Sequence, residues 1–143
     1  MVDVSAKEIT IRTATAAGRI VMKTSTAEMI QMQTAVKGDV LGVARIAAIN
    51  AVKLTPSLIP LCHAIPIDAV EVRFTFLNQT TLTCEVDVRS TGRTGVEMEA
   101  LSGVAVACLT VYDMCKSVDR GMTIEALRLR AKDGGKSGPF VSP

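Results

Sequence analysis

Hydrophobic and polar residues alternate most regularly in the middle of the chain. Residues 70–76 alternate apolar with polar side chains, and residues 82–88 repeat the alternation after the polar pair Asn78 and Gln79. A period of two places successive side chains on opposite faces of a strand. Two such runs separated by a short polar segment are typical of a hairpin. The pattern therefore predicts two antiparallel strands joined by a tight turn.

Three shorter segments also have the pattern of strands. Residues 9–14 alternate apolar and polar, residues 19–23 form a short second candidate, and residues 124–131 form a last one. The segment 134–143 begins with two glycines and follows this last strand. Because glycine favours turns and mobile backbone, we predict a flexible tail there.

Two helices are predicted between these strands. Residues 25–28 read Ser-Thr-Ala-Glu and resemble a capping box that opens a helix over 26–36. Asp39 is suited to cap a second helix that extends to about Lys53. Because proline has no backbone N–H, we expect this second helix to end before Pro56.

A third helix is predicted where thirteen residues without a charge separate Glu99 from Asp113. Asp113 and Lys116 are three apart, which makes them neighbours on one helical face. Glu97 and Glu99 are two apart, so both point to one side only in an extended backbone. Charges beside an apolar surface are costly unless they are paired or used. These residues are therefore candidates for chemistry, with a structural salt bridge and a solvated helix start as the alternatives.

Strands and helices mixed in this way favour an α+β domain, with helices packed on one face of a mostly antiparallel sheet. The length of 143 residues fits a single domain over residues 1–143. Hydrophobic residues make up 48% of the chain although it has no Trp, so small aliphatic side chains must build the core. Such a core favours close packing of helices on the sheet and large flat contacts between subunits.

The charge balance and the cysteines exclude several classes of protein. Sixteen basic and fourteen acidic residues give a net charge of +2, which is too balanced for a duplex nucleic-acid binder. The thirteen-residue uncharged run is too short to span a membrane, and the N-terminus lacks the pattern of a secretory signal. Four cysteines and one histidine show no metal-ligand spacing. We expect a cytoplasmic protein with reduced thiols and no metal, which binds neither nucleic acid nor membranes.

The single histidine, His63, lies in an apolar segment stiffened by prolines. Its ring could act as an acid–base or orienting group, or it could be a structural histidine bonded to the backbone. The sequence leaves both open. Cys62 is not expected to form a nucleophilic pair with it, because adjacent side chains usually point in different directions.

The run Gly135-Lys136-Ser137 resembles the end of a phosphate-binding loop. That motif needs a glycine where this chain has Arg130, so the interpretation is rejected. Nearby cations could still contact an anion, and a solvated basic tail explains them equally well. These cations are Arg128, Arg130, Lys132 and Lys136.

Length constrains the use of the third helix. Fourteen residues place Glu99 and Asp113 about 21 Å apart along an unbroken helix. No small substrate bridges that span comfortably within one chain. Either the two ends have separate uses, or a neighbouring subunit brings its acids to Asp113 and Lys116, and we favour the second.

Six segments match, in order, the motifs of one protein family: residues 1–7, 37–40, 57–63, 94–101, 109–116 and 134–138. The third reads Ser-Leu-Ile-Pro-Leu-Cys-His, and the fifth reads Leu-Thr-Val-Tyr-Asp-Met-Cys-Lys. On these motifs the chain closely resembles the molybdenum cofactor biosynthesis protein C family, the cyclic pyranopterin monophosphate synthases, over nearly its whole length.

The resemblance implies a ferredoxin-like fold and a homohexamer, a trimer of dimers with sites at subunit contacts. It also implies a lyase-type reaction, in which a cyclised guanosine triphosphate becomes cyclic pyranopterin monophosphate and releases pyrophosphate. This chemistry needs positioned acids and bases more than a redox cofactor, so no cofactor is expected. It also needs cations that hold a triphosphate.

The resemblance assigns roles to individual residues. Asp113 matches the family's catalytic aspartate and Lys116 its companion lysine; we infer that Lys116 moves protons while Asp113 keeps it oriented and charged. Lys37 and Lys53 match lysines of the pocket and are assigned mainly to phosphates. The other substrate-binding positions are Leu61, Cys62, His63, Glu97, Met98 and Glu99. Supporting cations are Lys132, Lys136 and Arg12.

One departure and two rival functions accompany this interpretation. Family members usually have proline after the histidine, where this chain has Ala64, so the loop is expected to be less rigid. A noncatalytic oligomeric nucleotide-binding module, or an acid–base enzyme acting on another purine nucleotide, would use most of the same residues. Retention of both Asp113 and Lys116 favours catalysis, because binding a triphosphate requires cations but not an aspartate.

Overall fold

The computed structural model describes all residues from Met1 to Pro143. Five strands and three helices follow one another: β1 (Thr10–Val21), α1 (Thr24–Gln31), α2 (Val40–Leu58), β2 (Ala69–Phe76), β3 (Thr81–Gly92), α3 (Glu97–Cys115), β4 (Thr123–Asp133) and β5 (Phe140–Val141). The strands form one sheet, and the helices pack against one face of it. This is the α+β arrangement that the pattern predicts, and it is consistent with a ferredoxin-like fold.

The central strand of the sheet is β1, and the strand order is β2-β3-β1-β4-β5. Every neighbouring pair is antiparallel. The predicted hairpin is confirmed, because β2 pairs with β3 from Ala69 opposite Arg89 to Phe76 opposite Leu82. Alternate residues of β1 and β3 are buried, so the core lies between one face of the sheet and the helices.

The prediction of two separate strands near the N-terminus is wrong, because β1 is a single strand of 12 residues. Its interior, residues 14–18, contains only small residues and therefore lacks the apolar alternation that marks a strand. Tertiary packing requires this small size. A Cβ on Gly18 would lie 2.8 Å from Val104 Cγ1 of α3, so the close approach of the helix explains the weak strand signal.

The first helix ends earlier than predicted, because the chain leaves helical conformation at Gln33, whose φ is 56°. The predicted capping box at residues 25–28 does not form, since α1 begins one residue before it and its N-cap, Lys23, makes no side-chain cap. Instead, the side chain of Asp119, which is distant in the sequence, makes hydrogen bonds at the start of this helix. Asp119 Oδ2 accepts hydrogen bonds from Lys23 N (2.8 Å) and Thr26 Oγ1 (3.1 Å).

The second helix is longer than predicted. Asp39 is its N-cap, as expected, and the side chain accepts a hydrogen bond of 2.9 Å from Gly42 N. The prediction that the helix ends before Pro56 is wrong, because α2 continues through it. Pro56 lies in the last turn, where its missing N–H removes only one helical bond. Thr55 Oγ1 donates to Ala51 O (2.9 Å) beside it.

The third helix is unbroken over 19 residues, which confirms the predicted element. Its buried side chains pack against α2 and the sheet in two apolar clusters. By length and composition alone α3 could cross a membrane, but 50% of its apolar window is buried inside this fold. The core helix of a folded domain meets the same criterion.

The chain reverses after β4. Gly134 and Gly135 both have positive φ, 98° and 77°, which glycine adopts at little cost. The chain then returns as β5, which pairs with β4 at Ala131 and Lys132. The flexibility of residues 134–143 stays a prediction.

Candidate active site

Three charged side chains meet at the C-terminal end of α3. Lys116 Nζ lies 2.5 Å from Asp113 Oδ1, one helical turn away, as the spacing predicts. Lys37, just before α2, donates to Asp113 Oδ2 (2.8 Å) and to its carbonyl oxygen (3.0 Å). One carboxylate thus lies between two ammonium groups, in a cluster that is about half exposed.

The two lysines determine the ionisation of Asp113. The hydrogen bond from Lys116, followed by that from Lys37, lowers the pKa of Asp113 to about 2. At neutral pH the carboxyl is therefore an anion, which suits it to orient Lys116 rather than to donate a proton. Solvent-exposed ion pairs contribute little to stability, so little of the stability of the fold depends on this cluster.

Replacing Lys37 by methionine is expected to raise the pKa of Asp113 towards its ordinary value of 3.8, because one of the two ammonium groups that favour the anion is removed. The carboxyl carbon of Asp113 can be followed by NMR during an acid titration. Lys23→Met, which removes a lysine outside the cluster, should leave the titration unchanged. An Asp113 pKa that does not respond to Lys37→Met would contradict the geometry described above.

Glu97 lies at the opposite end of α3, in its first turn. Its Oε1 pairs with Lys132 Nζ of β4 at 2.8 Å. Burial raises the pKa of Glu97, but the hydrogen bond from Lys132 and the surrounding positive charge outweigh burial, so the net pKa is lowered. Glu97 is therefore an ionised, paired carboxylate.

Glu99 points away from Glu97, because residues two apart on a helix do not share a face. It is only 2% exposed, and its Oε1 has no hydrogen-bond partner. Burial raises the pKa of Glu99 despite a hydrogen bond from its own backbone N–H, and the charge of Glu97 raises it further. The start of α3 thus combines two carboxyl groups whose pKa values are shifted in opposite directions, lowered for Glu97 and raised for Glu99.

A cleft of about 1120 Å³ opens beside this end of α3. Small-molecule pockets commonly measure about 300–1,000 Å³, so the cleft has room for an anion of nucleotide size. Its basic side chains outnumber its acidic ones. The basic ones are Lys7, Arg12, Arg93, Lys132 and Lys136, and the acidic ones are Asp3, Glu8, Glu97 and Asp133.

Arg12 connects two walls of this cleft. It is 8% exposed, and it donates from Nε to Gly92 O (3.3 Å) and from Nη2 to Arg93 O (3.4 Å). Its guanidinium also lies against Gly135, where any Cβ would overlap Nη1. Arg12 therefore holds the turn before α3 against the glycine turn after β4.

The two ends of α3 do not meet within one chain. The helix between them is continuous, so Glu99 and Asp113 lie about 21 Å apart along its axis. The cluster around Asp113 and the basic cleft are therefore separate in a single copy of the chain.

Comparison with known proteins identifies the family. The protein-family model described as "MoaC family" matches residues 1–135, which is almost the whole chain. The chain belongs to the MoaC family.

Relatives of this MoaC-family chain carry a specific name. The "Cyclic pyranopterin monophosphate synthase" of Limosilactobacillus fermentum is 53% identical over 140 residues, which cover 98% of this chain and 85% of the relative. The protein of the same name from Rhodopirellula baltica is 50% identical over 150 residues, with 98% and 86% covered. "Cyclic pyranopterin monophosphate synthase 3" of Mycobacterium bovis is 54% identical over 140 residues, with 98% and 79% covered.

Most of the residues predicted for the site fall into three groups in this MoaC-family chain. Lys37 joins Asp113 and Lys116 at one end of α3. At the other end, Glu97 lines the cleft with Lys132, Lys136 and Arg12. Two predicted residues belong to neither group: Lys53 is exposed on α2, and Met98 is 37% exposed on α3.

The segment Leu61–His63 forms the third group. Ser90 Oγ donates to Pro66 O at 2.6 Å and so fixes the loop against the end of β3. Burial, followed by the nearby charge of Glu99, raises the pKa of the Cys62 thiol. A thiol of raised pKa is a poor source of thiolate, which agrees with the expectation that Cys62 is not a nucleophile.

Spacing in the sequence missed two features of the candidate site. Arg93 lines the cleft, and the only signal for it is its place between Gly92 and Gly95, where a strand passes into a helix. The contact between Lys37 and Asp113 joins positions 76 residues apart, which no local pattern predicts. No group of three or more His, Cys, Asp or Glu side chains is placed so that it could hold a metal ion.

Proposed function

We propose that this chain is a cyclic pyranopterin monophosphate synthase, a lyase of molybdenum cofactor biosynthesis. It converts 3′,8-cyclo-7,8-dihydroguanosine 5′-triphosphate to cyclic pyranopterin monophosphate and releases pyrophosphate. The observation that carries this proposal is the ionised Asp113 between the ammonium groups of Lys116 and Lys37. The names of relatives that are 50–54% identical to the chain support the same activity.

Lys116 carries out the proton transfer, and Asp113 assists it. The rearrangement breaks a carbon–nitrogen bond of a purine-derived ring, so protons must be added and removed at defined atoms. Lys116 is the group that moves protons, and Asp113 orients it and keeps it charged. Glu99, whose burial raises the pKa of its carboxyl, is assigned to substrate binding.

The phosphates are bound by cations, since charge-assisted hydrogen bonds to phosphate are among the strongest that side chains make. Lys37 and Lys53 bind the triphosphate, with Arg12, Lys132 and Lys136 in support, and the same groups stabilise the departing pyrophosphate. The remaining contacts to the substrate are made by Leu61, Cys62, His63, Glu97 and Met98.

The complete site is formed between subunits of a cytoplasmic homohexamer, a trimer of dimers. The length of α3 supports this assembly, because its two functional ends lie about 21 Å apart in one copy. A second subunit brings its cleft to the Asp113 end of the first. The substrate is a small molecule, and neither a nucleic acid nor a membrane takes part in the reaction.

A direct assay tests this function. The purified chain is incubated with the cyclised triphosphate, and pyrophosphate and the pterin product are quantified by chromatography. We expect the two products in equal amounts. Bound but unchanged substrate, while a known synthase is active in parallel, would indicate a nucleotide-binding module instead. Pyrophosphate without pterin would indicate simple hydrolysis and would also overturn the proposal.

A further inference from the structure

The first eight residues lie along the rim of the cleft, and we call residues 1–8 the N-terminal strap. Asp3, Lys7 and Glu8 of the strap line the cleft. The strap is internally ordered by two hydrogen bonds, from Ser5 N to Asp3 Oδ1 (2.8 Å) and from Lys7 N to Val4 O (3.0 Å). It belongs to no helix or strand.

Two side chains from elsewhere in the fold tie the strap down by its backbone. Arg93 Nε donates to Lys7 O at 3.2 Å near one end. At the other end, His63 Nε2 lies 2.8 Å from Val2 O. Both partners are carbonyl oxygens, so the contacts depend on the path of the strap and not on its side chains.

The contact with Val2 determines where the proton of His63 lies. A carbonyl oxygen has no proton and only accepts, so Nε2 must carry the proton and donate it. In the neutral ring, Nδ1 is then the nitrogen with the free lone pair. Nδ1 makes no hydrogen bond within the chain, whereas Nε2 is engaged.

We propose that the N-terminal strap is a positioning segment for His63. The Val2 carbonyl fixes the orientation of the ring and holds its proton on Nε2, so that Nδ1 is presented as an acceptor to the substrate. The part of this inference that concerns substrate rests on the proposed function. The part that concerns the ring proton does not, and it can be tested in the absence of substrate.

The chain offers a matched pair of variants. Deletion of residues 2–4 removes the accepting carbonyl, while Val2→Ala keeps it and shortens a side chain that is 73% exposed. Because the deleted residues lie outside all helices and strands, the fold is expected to survive, and circular dichroism checks this. The proposal requires the two variants to behave differently.

The first readout is the ring proton itself. His63 is the only histidine, so selective ¹⁵N-histidine labelling gives the two nitrogen signals of a single imidazole ring. We expect the full chain and Val2→Ala to show a proton on Nε2 that exchanges with water at least about tenfold more slowly than in the deletion variant. Equal exchange in all three proteins, or a proton on Nδ1 in the full chain, would overturn the proposal.

The second readout is kinetic. Deletion of residues 2–4 should lower kcat by about ten- to a hundredfold, because misplacement of a reacting group has effects of that size. In a His63→Ala background the same deletion should have no further effect, since the group it positions is absent. If the deletion has its full effect there as well, the strap has only a general structural role. Absence of synthase activity in the full chain would contradict the proposed function. The exchange experiment would still show whether the strap holds the proton of His63 on Nε2.

Discussion

Replacing Lys116 by alanine is expected to lower kcat by about 10²–10⁴-fold, with a much smaller change in KM. The physical reason is that Lys116 lies 2.5 Å from Asp113 and is the proton-transfer group of the proposed reaction. Its loss removes an interaction used in the transition state more than in substrate binding. Steady-state kinetics with the cyclised triphosphate measure both constants.

Two control variants separate proton transfer from charge. Lys116→Arg keeps a positive charge beside Asp113, but an arginine does not release its proton near neutral pH. We therefore expect Lys116→Arg to be nearly as inactive as Lys116→Ala. Arg19→Ala, at an exposed cation of β1 without an ion pair, should keep the activity of the unchanged chain. A Lys116→Ala enzyme with normal kcat and raised KM would show that Lys116 only binds substrate.

Mixing two inactive variants is expected to restore activity when each is changed at a different end of α3. Glu99→Gln damages the cleft end, and Lys116→Ala damages the cluster end. If each site takes one end from each of two subunits, random exchange leaves about a quarter of the sites with both ends intact. Activity after dissociation and reassembly, compared with the unmixed variants, measures this recovery.

The matched control mixes Asp113→Asn with Lys116→Ala. Both changes lie at the same end of α3, so every reassembled site keeps at least one of them and no recovery is expected. Glu97→Gln with Lys116→Ala provides a second pair with one change at each end of α3. If mass spectrometry shows exchanged subunits and neither cross-end pair regains activity, the shared site is wrong.

The pattern of the chain predicted most of the fold, for physical reasons that are visible in individual elements. The hairpin of β2 and β3 was recognisable because alternate side chains of β3 are buried, and α3 because its apolar core face leaves few charged positions. The strand β1 was not recognisable as one element, because the close approach of α3 at Gly18 requires small residues there. The end of α2 was predicted too early because proline usually breaks a helix, whereas here Pro56 lies in the last turn and the helix ends only two residues later.

The contacts of the candidate site are also of two kinds, those that local spacing predicts and those that depend on the whole fold. Asp113 and Lys116 are three apart on a helix, so their contact follows from spacing alone. The ion pair of Glu97 with Lys132 and the packing of Arg12 on Gly135 depend instead on β4 returning beside β1. Such contacts between distant positions arise only from the complete topology. The motifs of the family bring these residues to attention, but they do not show which of them meet.

The carboxyl of Glu99 has a consequence for the thermal stability of the whole molecule. Burial raises its pKa above the ordinary 4.5, so folding favours the protonated form, and this contribution is lost as the pH rises through the raised value. Above the raised pKa, burial of the Glu99 carboxylate costs the fold stability, and a neutral side chain of similar shape would remove this cost. Glu99→Gln is such a change, and the free energy of unfolding of this variant is expected to depend less on pH between the two pKa values than that of the unchanged chain.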